Sequence, residues 1–240
     1  MQLSDRLKLV ISFVGPCRTA ADIGTDHAYV PIELVKTKRV KHAFALDINK
    51  GPLERAKKHI QAENLSEWIE TRQSDGLEAL CENEADSIII AGMGGELIVN
   101  ILKKGERVIK TAKELVLSPH SEIFLVRKYL IKNGYDIIRE QMIFDTGKYY
   151  TVLKAVQNNC KMCNKTKDCA DDYSETDYLY GKRLIQQKDF VLKEYLEWKK
   201  RQQLQILEQL EGNVKETVGQ RRQELQRDIK LIDQVLERIE

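Results

Sequence analysis

The stretch DIGTDHAYV, residues 22–30, decides the fold, because a β-rich run ends in a loop here and a helical run begins. A strand candidate, Arg18–Ile23, leads into the loop, and a helix candidate, Pro31–Thr37, follows it. Strand, glycine-containing loop and helix in this order are typical of a cofactor-binding βαβ unit. Only the first glycine of the usual dinucleotide series is present, and Asp26 occupies the place of the second. The loop therefore predicts a cofactor site that differs from an ordinary dinucleotide site.

The alternation of strand and helix continues to about residue 156. The further strand candidates are His42–Asp47, Ile69–Gln73, Asp86–Ala91 and Glu114–Leu117. The further helix candidates are Pro52–Glu63, Leu77–Glu82, Gly95–Lys104 and Ser121–Asn133. Such alternation predicts an α/β fold, with a parallel sheet covered by helices on both faces.

Local signals refine the end of this α/β part. We expect Ser121 to cap the last helix at its start and Gly134 to end it in a left-handed conformation. Two further strand candidates, Tyr135–Phe144 and Tyr149–Val156, flank the turn-forming tetrad DTGK. They predict an antiparallel hairpin that closes the otherwise parallel sheet.

The second part of the chain has a different pattern. Residues 157–177 are polar and predict a linker, whereas residues 178–240 contain no proline and have helical periodicity. The apolar residues near the end recur at coiled-coil spacing: Leu225, Ile229, Ile232, Leu236 and Ile239. Gly212-Asn213 and Gly219 interrupt the pattern, which favours two helices folded back as a hairpin. We predict a first domain over residues 1–157, and a second, with the linker and the helices, over 158–240.

Composition excludes several classes of protein. The net charge is only +2, so nucleic-acid contact requires local basic patches. We find no signal peptide and no apolar run long enough to span a membrane. Five cysteines without a secretion signal predict reduced thiols and a cytoplasmic protein. The linker cysteines Cys160, Cys163 and Cys169 have no evident fourth ligand, so we expect no metal site.

The loop chemistry distinguishes between cofactors. A carboxylate at Asp26 would repel the pyrophosphate of a dinucleotide. S-adenosylmethionine has no phosphate and carries a sulfonium cation, so acidic groups suit it. Asp22 and Gly24 follow the first strand, Asp47 ends the second and can accept from two ribose hydroxyls, and Asp75 could accept from the adenine amino group. The alternative for Asp22 and Asp26 is a structural role as helix caps.

Six motifs resemble one known family: LSDRL, DIGTDHAYVPIEL, ALDIN, SDGLEAL, IAGMGGELI and GKYYTVL. They are similar to the TrmK family, the bacterial tRNA (adenine(22)-N(1))-methyltransferases, from residue 3 to about 156, and more loosely through KEYLEWKK and the helical tail. The resemblance implies a class I Rossmann-like methyltransferase domain with a C-terminal antiparallel coiled-coil hairpin. It also implies the cofactor S-adenosyl-L-methionine and N1-methyladenosine in tRNA as the product. One departure is Ser118-Pro119-His120, where a Gln-Pro-Asn-like turn is expected, and this turn receives no role.

Combined with the strand ends, the resemblance gives a set of expected cofactor contacts. They are Asp22, Gly24, Thr25, Asp26, His27, Asp47, Ile48, Ser74, Asp75, Gly76, Ala91, Gly92, Met93 and Gly94. The Gly92–Gly95 segment should border the methyl-transfer site. It replaces the Asn/Asp-Pro-Pro-aromatic motif of exocyclic-amine methyltransferases, which favours a ring nitrogen as the target.

We assign adenine orientation to three residues of the first loop: Asp26, His27 and Tyr29. Tyr29 either stacks on an extruded base or packs against the sheet, and His27 either faces substrate or bonds the backbone. Candidate tRNA contacts are Gly95, Lys36, Lys38, Arg39, Lys103, Lys104, Lys199, Lys200 and Arg201. For each basic residue the alternative is a solvated surface charge.

The predicted partner is tRNA, with neither a membrane nor DNA, and we expect a monomer. Two other functions remain open from the residues alone. One is a methyltransferase for a small molecule or a protein, and the other is a non-catalytic coiled-coil binding module.

Overall fold

The structure, a computed structural model, describes residues 3–158, 173–210 and 216–240. The chain divides into two compact units, residues 1–172 and 173–240. The boundary predicted after residue 157 stays a prediction, because the segment that follows is largely outside the described residues. Cys160, Cys163 and Cys169 lie in that segment, and their expected lack of a metal stays a prediction too. Among the described residues, no group of three or more His, Cys, Asp or Glu side chains could hold a metal ion.

The first unit contains a sheet of seven strands in the spatial order β3-β2-β1-β4-β5-β7-β6. The strands are β1 (Cys17–Ile23), β2 (Val40–Asp47), β3 (Ile69–Gln73), β4 (Ser87–Ala91), β5 (Glu114–Ser118), β6 (Tyr135–Asp145) and β7 (Lys148–Gln157). The first five run parallel, and β7 pairs antiparallel with both β5 and β6. The predicted α/β fold with a closing hairpin is confirmed.

The described residues of this unit form six helices: α1 (Asp5–Phe13), α2 (Tyr29–Lys36), α3 (Lys50–Ala62), α4 (Gly95–Lys104), α5 (Glu106–Ile109) and α6 (Ile123–Lys132). Apolar side chains fill the space between helices and sheet, and Ile88, Ile89 and Ile90 of the central strand β4 are fully buried. This consecutive burial follows from helices on both faces of the sheet.

The structure corrects two local predictions. Leu77–Glu82 forms turns instead of a helix. The buried Ser74 hydroxyl accepts from the Ala79 amide at 3.0 Å, and such a side-chain bond competes with helical pairing. Ser121 does not cap α6, because Glu122 is the cap residue and the Ser121 hydroxyl bonds the Glu122 carboxylate.

Two other local features bear on the sequence patterns. Gly134 has a φ of 76° after α6, as predicted. Helix α1, which the strand-helix pattern did not include, is capped at its start by Ser4, whose hydroxyl accepts from the Leu7 amide.

All regular secondary structure in the described residues of the second unit is helical. It contains a π-helical turn (Asp177–Gly181) and the helices α7 (Lys182–Gln186), α8 (Phe190–Gln209) and α9 (Glu216–Ile239). Lys200 and Gln203 of α8 bond Asp233 and Asp228 of α9, so the two long helices run antiparallel as predicted.

The predicted apolar seam of α9 is partly confirmed by burial. Leu225, Ile232 and Ile239 are buried, and Val235 joins them. Gly219 lies inside α9, so the interruption predicted there is wrong. Gly212-Asn213 lies outside the described residues. No helix in the described ranges combines the length and apolar character needed to cross a membrane.

Candidate active site

The candidate site lies at the carboxyl ends of the parallel strands, where β1 is flanked by β2 and β4. The chain leaves β1 toward β2 on one side and returns to β4 on the other. This change of direction opens a crevice that binds ligands in sheets of this type. The loops after β1, β2 and β4 meet there.

Gly24 and Met93 face each other across this crevice. Gly24 has a φ of 76°, and a Cβ atom added to it would lie 2.0 Å from the Met93 Cε atom. The amides of Gly24 and Thr25 both donate to the Leu46 carbonyl at 2.8 Å, which fixes the loop to β2. Only glycine fits this close approach at a positive φ.

Asp22, the penultimate residue of β1, is the most perturbed acid of the site. Burial raises the pKa of its carboxyl group to about 6; the nearby Thr25 hydroxyl opposes this rise, and the charge of Asp47 adds to it. In the described part of the chain, Asp22 forms no ion pair. A buried carboxylate without a cation is unfavourable when ionised, so a cationic ligand would be stabilised beside it.

Asp47 ends β2 and is half-buried. Its Oδ1 atom accepts from the Asn49 amide at 2.7 Å, and within the described residues no hydrogen bond uses Oδ2. The side chain of the adjacent Ile48 is 55% exposed, while its carbonyl accepts from the Gln73 side chain. Asp47 is thus held by the backbone with one oxygen available for hydroxyl donors.

The polar side chains of the turn after β3 bond mainly to other groups of the protein. The Ser74 hydroxyl donates to the Gly76 carbonyl at 2.9 Å, so this residue shapes the turn. Asp75 is exposed and forms an ion pair with Lys104 at 2.9 Å. Asp75, expected to accept from the adenine amino group, and Lys104, expected to contact tRNA, therefore bind each other in this structure.

The glycine segment after β4 is packed against the loop after β5. Gly92 has a φ of 86°, and its amide donates to the Ser118 carbonyl. A Cβ atom on Gly95 would lie 2.4 Å from the Glu122 carbonyl oxygen. This contact explains Gly95 as the residue that lets α4 approach the following loop, and it gives no support to a tRNA contact.

The three residues expected to orient adenine have partners within the protein. Asp26 forms an ion pair with Arg55 of α3 at 2.9 Å. The ring of His27 stacks on those of Tyr29 and His59, with centroids 5.2 and 5.0 Å away. The cap residue of α2 is Ala28, with no side-chain cap bond, so Asp26 does not cap this helix.

Four of the eight predicted basic contacts have charged or carbonyl partners within the protein. Lys36 pairs with Glu63, Lys104 with Asp75 and Lys200 with Asp233, and Arg39 donates to the Val14 carbonyl. Lys199 lies 5.4 Å from the Tyr180 ring, and burial lowers the pKa of its amine.

The other three basic residues, Lys38, Lys103 and Arg201, are exposed. Residues 36–39 connect α2 to the start of β2, at the sheet edge opposite the crevice. Lys36, Lys38 and Arg39 therefore do not lie at the crevice.

Three residues beside the crevice, Arg6, His120 and Tyr150, were not predicted from the sequence. Arg6 donates to His120 at 3.1 Å, and both lie beside Gly92. Ser118, which precedes this turn, is fully buried, and its hydroxyl has no partner among the described residues. One sequence feature could have indicated His120 as a site residue: Ser118-Pro119-His120 lies directly at the carboxyl end of β5.

Comparisons with known proteins agree with the fold. Residues 3–153 match a family model described as a methyltransferase domain. A "tRNA (adenine(22)-N(1))-methyltransferase" of Bacillus subtilis is 39% identical over 155 residues, which cover 65% of this chain and 65% of that protein.

Solved structures align over nearly the whole chain. The crystal structure of the B. subtilis M1A22 tRNA methyltransferase TrmK has a TM-score of 0.84 and 32% identity, covering 98% of this chain and 99% of that one. The structure of M. capricolum TrmK in complex with the natural cofactor product S-adenosyl-homocysteine has a TM-score of 0.83 and 28% identity, covering 100% of both chains.

Proposed function

Because the chain belongs to the TrmK family of bacterial tRNA (adenine(22)-N(1))-methyltransferases, we propose that it methylates N1 of adenine 22 in tRNA with S-adenosyl-L-methionine as the donor. The family resemblance read from the sequence is thereby confirmed. The chain is an enzyme with a methyltransferase domain and not merely a coiled-coil scaffold.

The observation that carries the proposal is the buried Asp22 carboxylate beside Asp47 in the crevice. Two acids and a glycine at close approach suit a ligand that is cationic and has no phosphate. The same acids would repel a dinucleotide pyrophosphate. The two carboxylates and the glycine at the crevice therefore fit S-adenosylmethionine.

We propose that the cofactor is held mainly at the ends of β1, β2, β3 and β4. Asp22 would bind the amino group, and Asp47 the ribose hydroxyls. The other proposed contacts are Gly24, Thr25, Asp26, His27, Ile48, Ser74, Asp75, Gly76, Ala91, Gly92, Met93 and Gly94. When bound, the cofactor supplies an electrophilic methyl group on a sulfonium.

The chain needs to do little acid-base chemistry. N1 of adenine already has an in-plane lone pair, so no residue must remove a proton from it first. The protein's contribution is to align the base with the methyl group and to tolerate positive charge. The acidic crevice supports the second role.

The orientation of adenine by Asp26, His27 and Tyr29 stays a proposal with reduced support. The Arg55 ion pair neutralises Asp26, and Tyr29 packs on His27 and His59. We infer that this group mainly fixes the first loop on α3.

The proposed partner is tRNA, which the named activity of the relatives supports. A monomer acting in the cytoplasm, without DNA or membrane partners, completes the proposal. Lys38, Lys103 and Arg201 are the exposed basic residues proposed to meet phosphates.

Incubation of the protein with unmodified tRNA and isotope-labelled cofactor tests the function directly. Mass spectrometry of the digested RNA should find labelled N1-methyladenosine at position 22. Transfer to another base, or only to protein or small molecules, would refute the proposed substrate.

A further inference from the structure

Three side chains from distant parts of the chain converge beside the glycine segment that follows β4. Arg6 belongs to α1, His120 follows β5, and Tyr150 lies near the start of β7. The Arg6 Nη1 atom is 3.1 Å from His120 Nε2, and its guanidinium carbon is 5.2 Å from the centre of the Tyr150 ring. The His120 and Tyr150 rings are 5.4 Å apart.

This cluster, Arg6-His120-Tyr150, borders the proposed methyl-transfer site. A Cβ atom placed on Gly92 would lie 3.6 Å from Arg6 Nη1 and 3.7 Å from the His120 ring. Because β7 runs antiparallel to β5, its first residues lie at the same sheet edge as the end of β5. The cluster therefore forms a wall at the carboxyl edge, next to the crevice.

The hydrogen bond between Arg6 and His120 fixes the state of the imidazole. Arginine can only donate, so His120 Nε2 accepts and the ring is neutral, with its proton on Nδ1. Burial lowers the pKa of His120, and the charges of Arg6 and Lys148 lower it further. A neutral ring leaves one N–H donor and adds no charge beside the cationic reaction centre.

The charges around the guanidinium favour an anion. In the described part of the chain Arg6 has no ion pair, and the Asp145 carboxylate accepts from its backbone amide instead of its side chain. Lys148, the first residue of β7 and two residues before Tyr150, adds a second positive charge on this strand. An arginine without a carboxylate, beside aromatic rings, suits the phosphate next to a nucleobase.

We infer that the Arg6-His120-Tyr150 cluster receives the target nucleotide, with the adenine stacked on its aromatic rings and an adjacent phosphate bound by Arg6. An enzyme that methylates N1 must take the base out of any pairing, and an extruded base needs a stacking surface. Tyr150 is better placed for this than Tyr29, whose ring already packs on His27 and His59. The inference rests on the proposed function and names the residues that would bind the target nucleotide in that reaction.

Four variants of the full chain test the inference. Tyr150→Ala removes the stacking surface, Tyr150→Phe keeps it, and Arg6→Gln removes the guanidinium charge while keeping an amide donor. Phe144→Ala is the matched control, because this exposed ring lies on the same hairpin but contacts Tyr149 instead of the cluster. Two quantities are measured: kcat/KM for an unmodified tRNA transcript, and the affinity for S-adenosylmethionine by calorimetry.

We expect Tyr150→Ala to lower kcat/KM for tRNA by about 10- to 100-fold, the range of one lost base stack. Tyr150→Phe should restore it to within about threefold, since the stacking face is kept. Arg6→Gln should raise KM for tRNA. It should also make the salt dependence of tRNA affinity shallower, by the amount expected for about one lost phosphate contact. Cofactor affinity should stay unchanged in all of them, which also shows that each variant is folded.

Opposite results would overturn the inference in recognisable ways. If Tyr150→Ala methylates tRNA as well as the natural chain, the base does not stack there. If Tyr150→Ala is unfolded, the Arg6→Gln variant decides the question. An unchanged KM for tRNA in that variant overturns the inference by itself. If the natural chain itself transfers no methyl group to adenine N1, both the proposed function and the nucleotide site are wrong.

Discussion

At the scale of single residues, Asp22 shows how a site can cost stability. Its carboxyl group is buried at the end of β1 and has a pKa raised to about 6. An acid whose pKa is higher in the folded than in the unfolded state stabilises the fold only while it is protonated. The natural chain should therefore lose stability as the pH rises from about 4 to about 6.

Replacing Asp22 by Asn should raise the free energy of unfolding of the cofactor-free protein at pH 7.5. The gain is at most about 3 kcal/mol, the linkage equivalent of the raised pKa. It should fall to about a tenth of this value near pH 3.5, where the natural carboxyl group is protonated in the folded state and mostly protonated in the unfolded state. Urea unfolding followed by circular dichroism at both pH values measures the difference.

The same variant should bind S-adenosylmethionine more weakly, because the amide cannot attract a cation. If Asp22→Asn is less stable than the natural chain at pH 7.5, the ionised Asp22 has a favourable partner in the fold. That result would contradict the proposed cost of its burial.

Asp47 gives a second test at this scale. Asp47→Ala should weaken cofactor binding by about 2–4 kcal/mol, if two charge-assisted hydrogen bonds to ribose are lost. Calorimetric titration measures the affinity. Asp5→Ala, which removes an exposed acid paired with Lys8, is the control and should bind as the natural chain does. Equal affinities for the two variants would exclude the ribose assignment.

At the scale of elements, the start of α4 depends on Gly95. A side chain there would meet the backbone of Glu122, with a Cβ to carbonyl oxygen distance of 2.4 Å, and backbone cannot rotate away. The glycine therefore sets how closely α4 packs on the loop that leads into α6. Shifting that loop would also disturb the backbone bonds near His120.

Gly95→Ala should lower the free energy of unfolding by about 1–3 kcal/mol, as overpacked sites do. Gly51→Ala is the matched control, since Gly51 also lies in the first turn of a helix, α3, but only the Arg55 side chain is near, at 3.6 Å. That control should be neutral or slightly stabilising, because alanine favours helix. Thermal and urea unfolding compare the two, and equal stabilities would show that α4 can shift at no cost.

At the scale of the whole molecule, the proposed cofactor ligands all precede residue 158, whereas α8 and α9 follow it. Residues 157–240 carry 16 basic and 16 acidic side chains, so any attraction of this part for RNA is local. Several of its basic residues also have partners within the same unit. A division of labour between cofactor binding and tRNA docking follows from this arrangement.

A chain ending at Asn158 should keep its affinity for S-adenosylmethionine and lose affinity for tRNA. The salt dependence of the remaining tRNA binding should be shallower, because phosphate contacts are lost. Calorimetry and filter binding measure the two affinities, after circular dichroism has established that the shortened chain is folded. Methylation of tRNA at the natural rate would instead assign the helices to another partner.

The order of strands and helices was determined by the sequence, because local periodicity and turn residues specify each element. The runs that became β1, β2, β3, β4 and β5 alternate with helices, and DTGK predicts the closing hairpin, so the α/β class and the crevice follow from pattern alone. Asp22, Gly24 and Asp47 could be proposed as ligands for the same reason: strand ends of a parallel sheet meet at one edge. The folding back of α8 and α9 on each other was predicted from the glycine interruptions of the apolar pattern, and their antiparallel arrangement was implied by the family resemblance.

Only the tertiary structure decided which partners these residues have. Charge partners such as Arg55 for Asp26 and Lys104 for Asp75 lie 29 residues apart in the chain, and no local pattern relates them. Arg6 and His120 are 114 residues apart, so their contact exists only once β4, β5 and α1 have packed. Periodicity records which face of an element is buried, whereas a site is defined by contacts between elements. For that reason the sequence alone could predict the cofactor crevice, and the wall proposed to hold the target nucleotide emerged only from the folded chain.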